Sequence, residues 1–397
     1  MAYTVLARRY RSRTFDQLVG QEAIAATLRA AIALDRVAHA YLFTGTRGVG
    51  KTSSARIFAN AVNNPADDPA LAEAIFAGRD TDVIEIDAAS NNSVENARQL
   101  IDGSVYRPLR GRKKIYIIDE VHMLSQAAFN ALLKTMEEPP DHVVFVLCTT
   151  ETHKVPATIQ SRCQRFDFRD IPPGRIAAHL RAVASAESID ADDELLAMVA
   201  RLAAGSMRDA LSLLDRLIAA GQPRLTPELL EGLLGLPPRT LVLELTDAIA
   251  SARPDSALLA AEALLRASAG TDQFFTTLAE FFRDLMVLSA CGPATELVDL
   301  SGEARELAVS MAARFDPGTL SHMIALCEGV ARSAKSSSFP RALVDTLVVR
   351  LALAKELTDA AAIAAEPLQR AAAPPTQAAP AARTRTTHPG SAAAKKA

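Results

Sequence analysis

The chain has 397 residues, 49% of them apolar and 22% charged, enough for two or three packed domains. Its formal net charge is only −3, tryptophan is absent and aromatics make up 5%, which excludes a global field for polyanions and a stacking platform for single strands. The four cysteines, Cys148, Cys163, Cys291 and Cys327, form no CxxC pair and fit neither a disulfide framework nor a zinc knuckle. Scattered free thiols suit a reducing, cytoplasmic setting. The opening stretch Met1–Phe15 lacks an apolar core of leader length, and no apolar run approaches the ~18 residues of a membrane span.

In chain order, residues 1–172 alternate short β-branched runs with helical stretches. Strands are expected at Tyr41–Thr44, Asp82–Ile86, Ile115–Asp119, Val143–Cys148 and Arg165–Phe168. The intervals are long enough for crossover helices, which predicts a parallel five-stranded α/β sheet covered on both faces. Directly after the first strand, Gly45-Thr46-Arg47-Gly48-Val49-Gly50-Lys51-Thr52 has the pattern GxxxxGKT, and a helical run from Ser53 to Val62 follows. Glycines let backbone N–H groups wrap phosphates, and a helix N-terminus adds positive potential. In that pattern Lys51 reaches the β- and γ-phosphates and the Thr52 hydroxyl holds Mg²⁺. The buried run Ile115-Tyr116-Ile117-Ile118 ends in Asp119-Glu120. There Asp119 would support Mg²⁺ and Glu120 would polarise the attacking water. Five basic residues lie within Arg107–Lys114; a solvated loop is the favoured reading, a DNA contact the other.

Next, Phe129, Leu132, Leu133 and Met136 make one apolar helix stripe that Pro139-Pro140 ends. Beyond Ile171-Pro172-Pro173 the chain turns helical. Residues 173–234 carry the stripe Met207, Leu211, Leu214 and Ile218, Pro237-Pro238 marks a break, and residues 235–358 are rich in Ala and Leu, with turn signals at Arg253-Pro254, Gly292-Pro293 and Asp316-Pro317-Gly318. Residues 359–397 are mostly Ala, Pro and Thr with a few cations, a composition expected to stay disordered.

Several runs together resemble the clamp-loader ATPases of the AAA+ class, specifically bacterial DNA polymerase III gamma/tau subunits. They are Leu6-Ala7-Arg8-Arg9-Tyr10-Arg11, Val19-Gly20-Gln21-Glu22, His39–Phe43, Glu85–Asn91, Asp119–Ser125, Asn130–Lys134, Glu137–Pro140 and Ser161-Arg162-Cys163. The similarity is strong over residues 1–220 and weaker beyond. It implies an AAA+ P-loop core at 1–172, a helical lid at 173–234 and a helical collar for oligomerisation at 235–358. It implies ATP and Mg²⁺, with Gly45–Ser53, Tyr10 and Val19 in the nucleotide pocket. Thr150, with Thr149 as the alternative, corresponds to the polar residue that senses the γ-phosphate. Arg208 resembles the lid arginine that reports bound ATP, and Arg162 the finger that completes a neighbour's site in trans.

The implied partners are copies of the chain, delta and delta-prime subunits, a sliding clamp and primer–template DNA, with no membrane. The implied activity is ATP hydrolysis within an assembly of the DNA-directed DNA polymerase class. Two departures stand out. The family usually carries a four-cysteine zinc insertion after the P-loop helix, whereas Asn63–Pro69 here has no cysteine, so no zinc is expected. Ser12 stands where the family usually has proline. The chain also lacks the length of tau-type proteins and reads as a short, gamma-like form. A nucleotide-gated scaffold and a Holliday-junction remodeller are the competing functions. The intact Lys51, Thr52, Asp119 and Glu120 argue against the first, and Ser161-Arg162-Cys163 with the long helical end against the second.

Overall fold

A computed structural model describes residues 3–354 except 236, 269, 299 and 301. The tail beyond 354 lies outside the described residues, and so does the expectation of disorder made for it.

Five strands, β1 (Ala40–Thr44), β2 (Val83–Asp87), β3 (Lys114–Asp119), β4 (Val143–Thr149) and β5 (Gln164–Asp167), form one sheet in the order β2-β3-β4-β1-β5. Every pairing is parallel, with Ala40 opposite Phe145 and Ile115 opposite Val144. Because side chains alternate across a strand, the central strands bury two separate sets. Tyr41, Phe43, Ile117, Val146 and Cys148 pack on one face, Leu42, Tyr116, Ile118, Phe145 and Leu147 on the other. The first face is covered by α3 (Lys51–Asn63), whose Phe58 meets the Tyr41 ring edge-on at 4.9 Å. On the other face lie α5 (Val94–Ser104) and α6 (Gln126–Glu137).

The N-terminal part also holds α1 (Leu6–Arg9), α2 (Glu22–Ala33) and α4 (Pro69–Phe76). α4 occupies the interval where the resembled family carries its zinc insertion, and Asp68 caps it by accepting Ala70 N–H at 2.9 Å. α6 starts under a Ser125 cap and stops before Pro139-Pro140. Of its expected stripe, Phe129, Leu132 and Met136 are buried, while Leu133 is only partly so.

Each strand differs from its expected bounds by one residue at one or both ends. Asp82 lies just before β2, its carbonyl still accepting Ile115 N–H at 2.7 Å, while its carboxylate accepts the N–H groups of Leu109, Arg110 and Gly111 at 2.8, 2.7 and 2.8 Å. That clamp shapes the basic stretch into a turn from which Arg107, Arg110 and Arg112 are exposed. β5 ends one residue earlier than expected, at Asp167, where Thr44 donates to the Asp167 carboxylate.

After α7 (Ala157–Gln160) and β5 come α8 (Pro173–Ala186), α9 (Asp193–Leu202), α10 (Met207–Ala219) and α11 (Pro227–Leu234). This layer includes a two-residue parallel pair, β6 (Asp190–Ala191) with β7 (Arg224–Leu225), that the periodicity did not announce. Its core contains Leu180, Val199, Leu211 and Leu214, and it also takes in Leu6 from α1 and Ile171. α12 (Arg239–Ala250), α13 (Pro254–Ala267), α14 (Thr271–Cys291), α15 (Gly302–Ala312), α16 (Pro317–Ser336) and α17 (Pro340–Ala352) surround a core of their own, rich in Phe and Leu. The turn signals act as read: Pro254 opens α13, Gly292 closes α14, and Asp316 caps α16 through Thr319 N–H at 2.8 Å. Among the described residues no helix is long and apolar enough to cross a membrane.

Candidate functional site

The sheet order places β1 between β4 and β5, so the chain leaves its carboxyl ends in opposite directions and opens a crevice there. The loop from Gly45 to Gly50 lies at that point. Gly45, Gly48 and Gly50 have φ of +140°, +80° and +106°, which side-chain-bearing residues rarely adopt. At Gly45 a Cβ would come within 2.4 Å of Phe168 O, and at Gly48 within 1.9 Å of Ser206 Oγ. The glycines therefore allow backbone to pass close on both sides.

α3 starts at Lys51, two residues before the expected Ser53. Lys51 is buried, and its ammonium donates to Gly45 O at 2.8 Å and Thr46 O at 2.7 Å. Burial lowers its pKa; the carboxylates of Asp119 and Glu120 pull the other way. Thr52 Oγ1 donates to Asp119 Oδ2 at 2.8 Å, and the other Asp119 oxygen accepts Glu120 N–H at 3.0 Å. Burial raises the Asp119 pKa, opposed by the Thr52 hydrogen bond. Thr150 Oγ1 donates to Glu120 Oε2 at 3.1 Å.

A cleft of about 640 Å³ joins these groups, and Arg47, Gly48, Val49, Gly50, Lys51, Thr52, Ser53, Asp119 and Glu120 line it. The N-terminal segment adds Tyr10, Arg11 and Val19, and the helical layer adds His179, Arg208 and Leu211. Tyr10 turns its hydroxyl away, to Glu187. Gly45 and Thr46, at the start of the loop, do not line the cleft, and the Thr46 hydroxyl donates to the Asp170 carboxylate. Thr150 reaches the cleft through Glu120 rather than by lining it. Arg162 stands apart: it follows α7, pairs with Glu137 at 2.5 Å and donates to Thr158 O at 2.7 Å.

The lining fits a polyanion with a divalent cation. A buried ammonium, glycine-freed amides and a helix N-terminus suit phosphate, and a hydroxyl beside a carboxylate offers the hard oxygen donors that Mg²⁺ prefers. The apolar groups Val19, Ile171, Met207 and Leu211 line the same cleft and suit a flat base.

Sequence reasoning gave no role to Arg11, His179 or His122. Arg11 Nε donates to Ser53 Oγ at 2.9 Å; burial and the nearby Arg56 lower its pKa. Burial also lowers the pKa of His179. Neither position carries a local signal beyond the run of arginines around residue 10, because each reaches the cleft only through packing between layers. Ser12, in place of the family proline, donates to Gln17 O at 2.9 Å.

Comparison with known proteins gives three consecutive family matches. Residues 20–172 match "DNA polymerase III, delta subunit", 175–223 match "DNA polymerase III clamp loader subunit, ATPase lid domain", and 225–366 match "DNA polymerase III subunits gamma and tau domain III". The chain is 39% identical over 358 residues to DNA polymerase III subunit tau of Bacillus subtilis, covering 88% of this chain and 63% of that protein. It is 42% identical over 256 residues to DNA polymerase III subunit gamma of Buchnera aphidicola, covering 63% of this chain and 71% of that one. Among solved structures, a Thermotoga maritima RuvB mutant aligns at 18% identity and a TM-score of 0.45, over 76% of this chain and 91% of that one, too distant to bear on function.

Proposed function

Since the chain belongs to the DNA polymerase III gamma/tau subunit family, we propose that it is an ATP-driven subunit of a clamp loader that opens a sliding clamp and loads it on primer–template DNA. The observation that carries this reading is the convergence of Lys51, Thr52, Asp119 and Glu120 on one cleft roofed by the helical layer. The chain spans about 63% of the length of the Bacillus subtilis tau subunit.

In this reading the Gly45–Gly50 amides and Lys51 hold the phosphates of ATP. Thr52 and Asp119 are the residues that would hold Mg²⁺, which when bound offsets phosphate charge. Glu120 orients the attacking water and takes its proton. Thr150, bonded to Glu120, and Arg208, which lines the cleft from α10, are placed to respond to the γ-phosphate. Tyr10 and Val19 close the base end. Arg162 points elsewhere and serves a neighbouring copy or subunit, so turnover needs assembly; fingers of this kind are worth ~10³–10⁵ in rate. Delta-type and delta-prime-type subunits, the clamp and DNA are the expected partners. DNA synthesis itself belongs to the polymerase assembly, and the setting is the cytoplasm around the nucleoid. Differential contact of the helical layer with ATP and its product supplies the free energy that changes subunit arrangement.

The test is ATP turnover by the full chain assembled with its partner subunits, with and without clamp and primed DNA. Stimulation by both is expected, with loss of turnover in Lys51→Ala and Arg162→Ala. Wild-type rates in both variants would remove the basis for a motor.

A further inference from the structure

His122 is a buried ring with polar groups at both nitrogens. It lies in the turn Val121–Met123 after β3, with its side chain 6% exposed. Nδ1 faces Thr149 Oγ1 at 3.0 Å and Glu120 Oε2 at 3.5 Å. On the opposite side Nε2 is 3.3 Å from Glu151 Oε1. The ring thus spans from the carboxylate at the end of β3 to one just past the end of β4.

Each of these neighbours is itself fixed. Thr149 Oγ1 also accepts Glu151 N–H at 3.0 Å, and Glu151 is held by Lys154 Nζ at 2.8 Å. Glu120 Oε2 is the same oxygen that accepts the Thr150 hydroxyl. That oxygen is therefore approached from two sides by groups tied to β4. The backbone at Glu120 is left-handed, with φ +46°, and its carbonyl accepts Met123 N–H at 2.9 Å. Few non-glycine residues adopt this conformation, so the direction of the Glu120 side chain is set by the very turn that contains His122. A histidine buried only to fill space does not need a carboxylate at each nitrogen.

We propose that His122 is a positioning residue for hydrolysis, bracing the Glu120 carboxylate against Glu151 and the end of β4 so that it faces the cleft in one orientation. This rests on the reading of Glu120 as the group that activates water. A misplaced base costs rate rather than affinity, because substrate binding uses the loop and Lys51 instead.

The experiment measures kcat and KM for ATP in the full chain assembled with its partner subunits on primed DNA. His122→Ala is expected to lower kcat about ten- to a hundredfold with KM within about twofold. His122→Asn, which places an amide near the Nδ1 position, regains part of the rate. In a Glu120→Gln background, His122→Ala changes the residual rate by less than about twofold, since residues acting as one unit are not additive. If His122→Ala does not fold, His122→Asn and Glu151→Gln carry the same comparison, each lowering kcat at constant KM. Full kcat in the folded His122 variants overturns the brace, as do equal fold losses in both backgrounds. Full turnover in Glu120→Gln overturns the reading of Glu120 and the brace with it.

Discussion

Asp82 shows what a single side chain can decide. It is 1% exposed, and its two oxygens accept three amide N–H groups from the 109–111 turn. Burial alone would raise its pKa; the amide bonds outweigh that and leave it lowered. The folded value therefore lies below the ordinary 3.8, so the stabilisation is complete above that pH and drains away as pH falls through the folded value. Asp82→Ala strands three donors and is expected to cost about 3 kcal/mol at neutral pH. Urea unfolding across pH checks this: the gap from wild type should narrow in acid below 3.8, and a gap unchanged down to pH 2.5 (roughly a unit lower) would contradict the linkage. Nothing in the sequence marks Asp82, because its partners lie almost thirty residues on. Lys51, Thr52, Asp119 and Glu120 were legible because their chemistry is written in local spacing.

At the scale of elements, α1 is four residues long and could not persist alone. It exists because Leu6 inserts into the core of the α8–α11 layer. Four residues later the same segment delivers Tyr10 and Arg11 to the cleft. Leu6→Ala should cost about 2–5 kcal/mol and also weaken nucleotide binding. Leu264→Ala, in the core of the α12–α17 layer, should cost similar stability and leave affinity unchanged. Denaturation together with a nucleotide titration separates the two, and equal effects on affinity would count against α1 as part of the cleft. A division of the chain at residue 172 follows sequence order, whereas packing groups Leu6 and Ile171 with the helices beyond it. Hydrophobic period reveals which face of a helix is buried but not which layer receives it, and that is where the sequence reading ran out.

At the scale of the whole molecule, the α12–α17 core is separate from the cores around the sheet and the α8–α11 layer. Calorimetry of the full chain should show more than one transition. ATP analogue at about 100 times its Kd should stabilise the nucleotide-binding part by ~2.7 kcal/mol and leave the other transition in place. One transition shifting as a unit would mean the layers unfold together. The parallel sheet and the helical remainder were readable because crossover spacing and composition change are long-range averages. The small β6–β7 pair was not, since two residues give no period.

The segment from Thr150 to Arg162 begins beside Glu120, which lines the chain's own cleft, and ends outside that lining, at the Arg162–Glu137 pair. Gln160 staples it midway, donating to Thr152 O at 3.1 Å and Val155 O at 2.8 Å. On the reading that Arg162 serves a neighbour, each copy is a donor on one flank and a recipient on the other, a head-to-tail contact rather than a mirrored one. Any row of such subunits then has a polarity: at one terminus stands an arginine with no triphosphate to meet, at the other a pocket that fills and never fires.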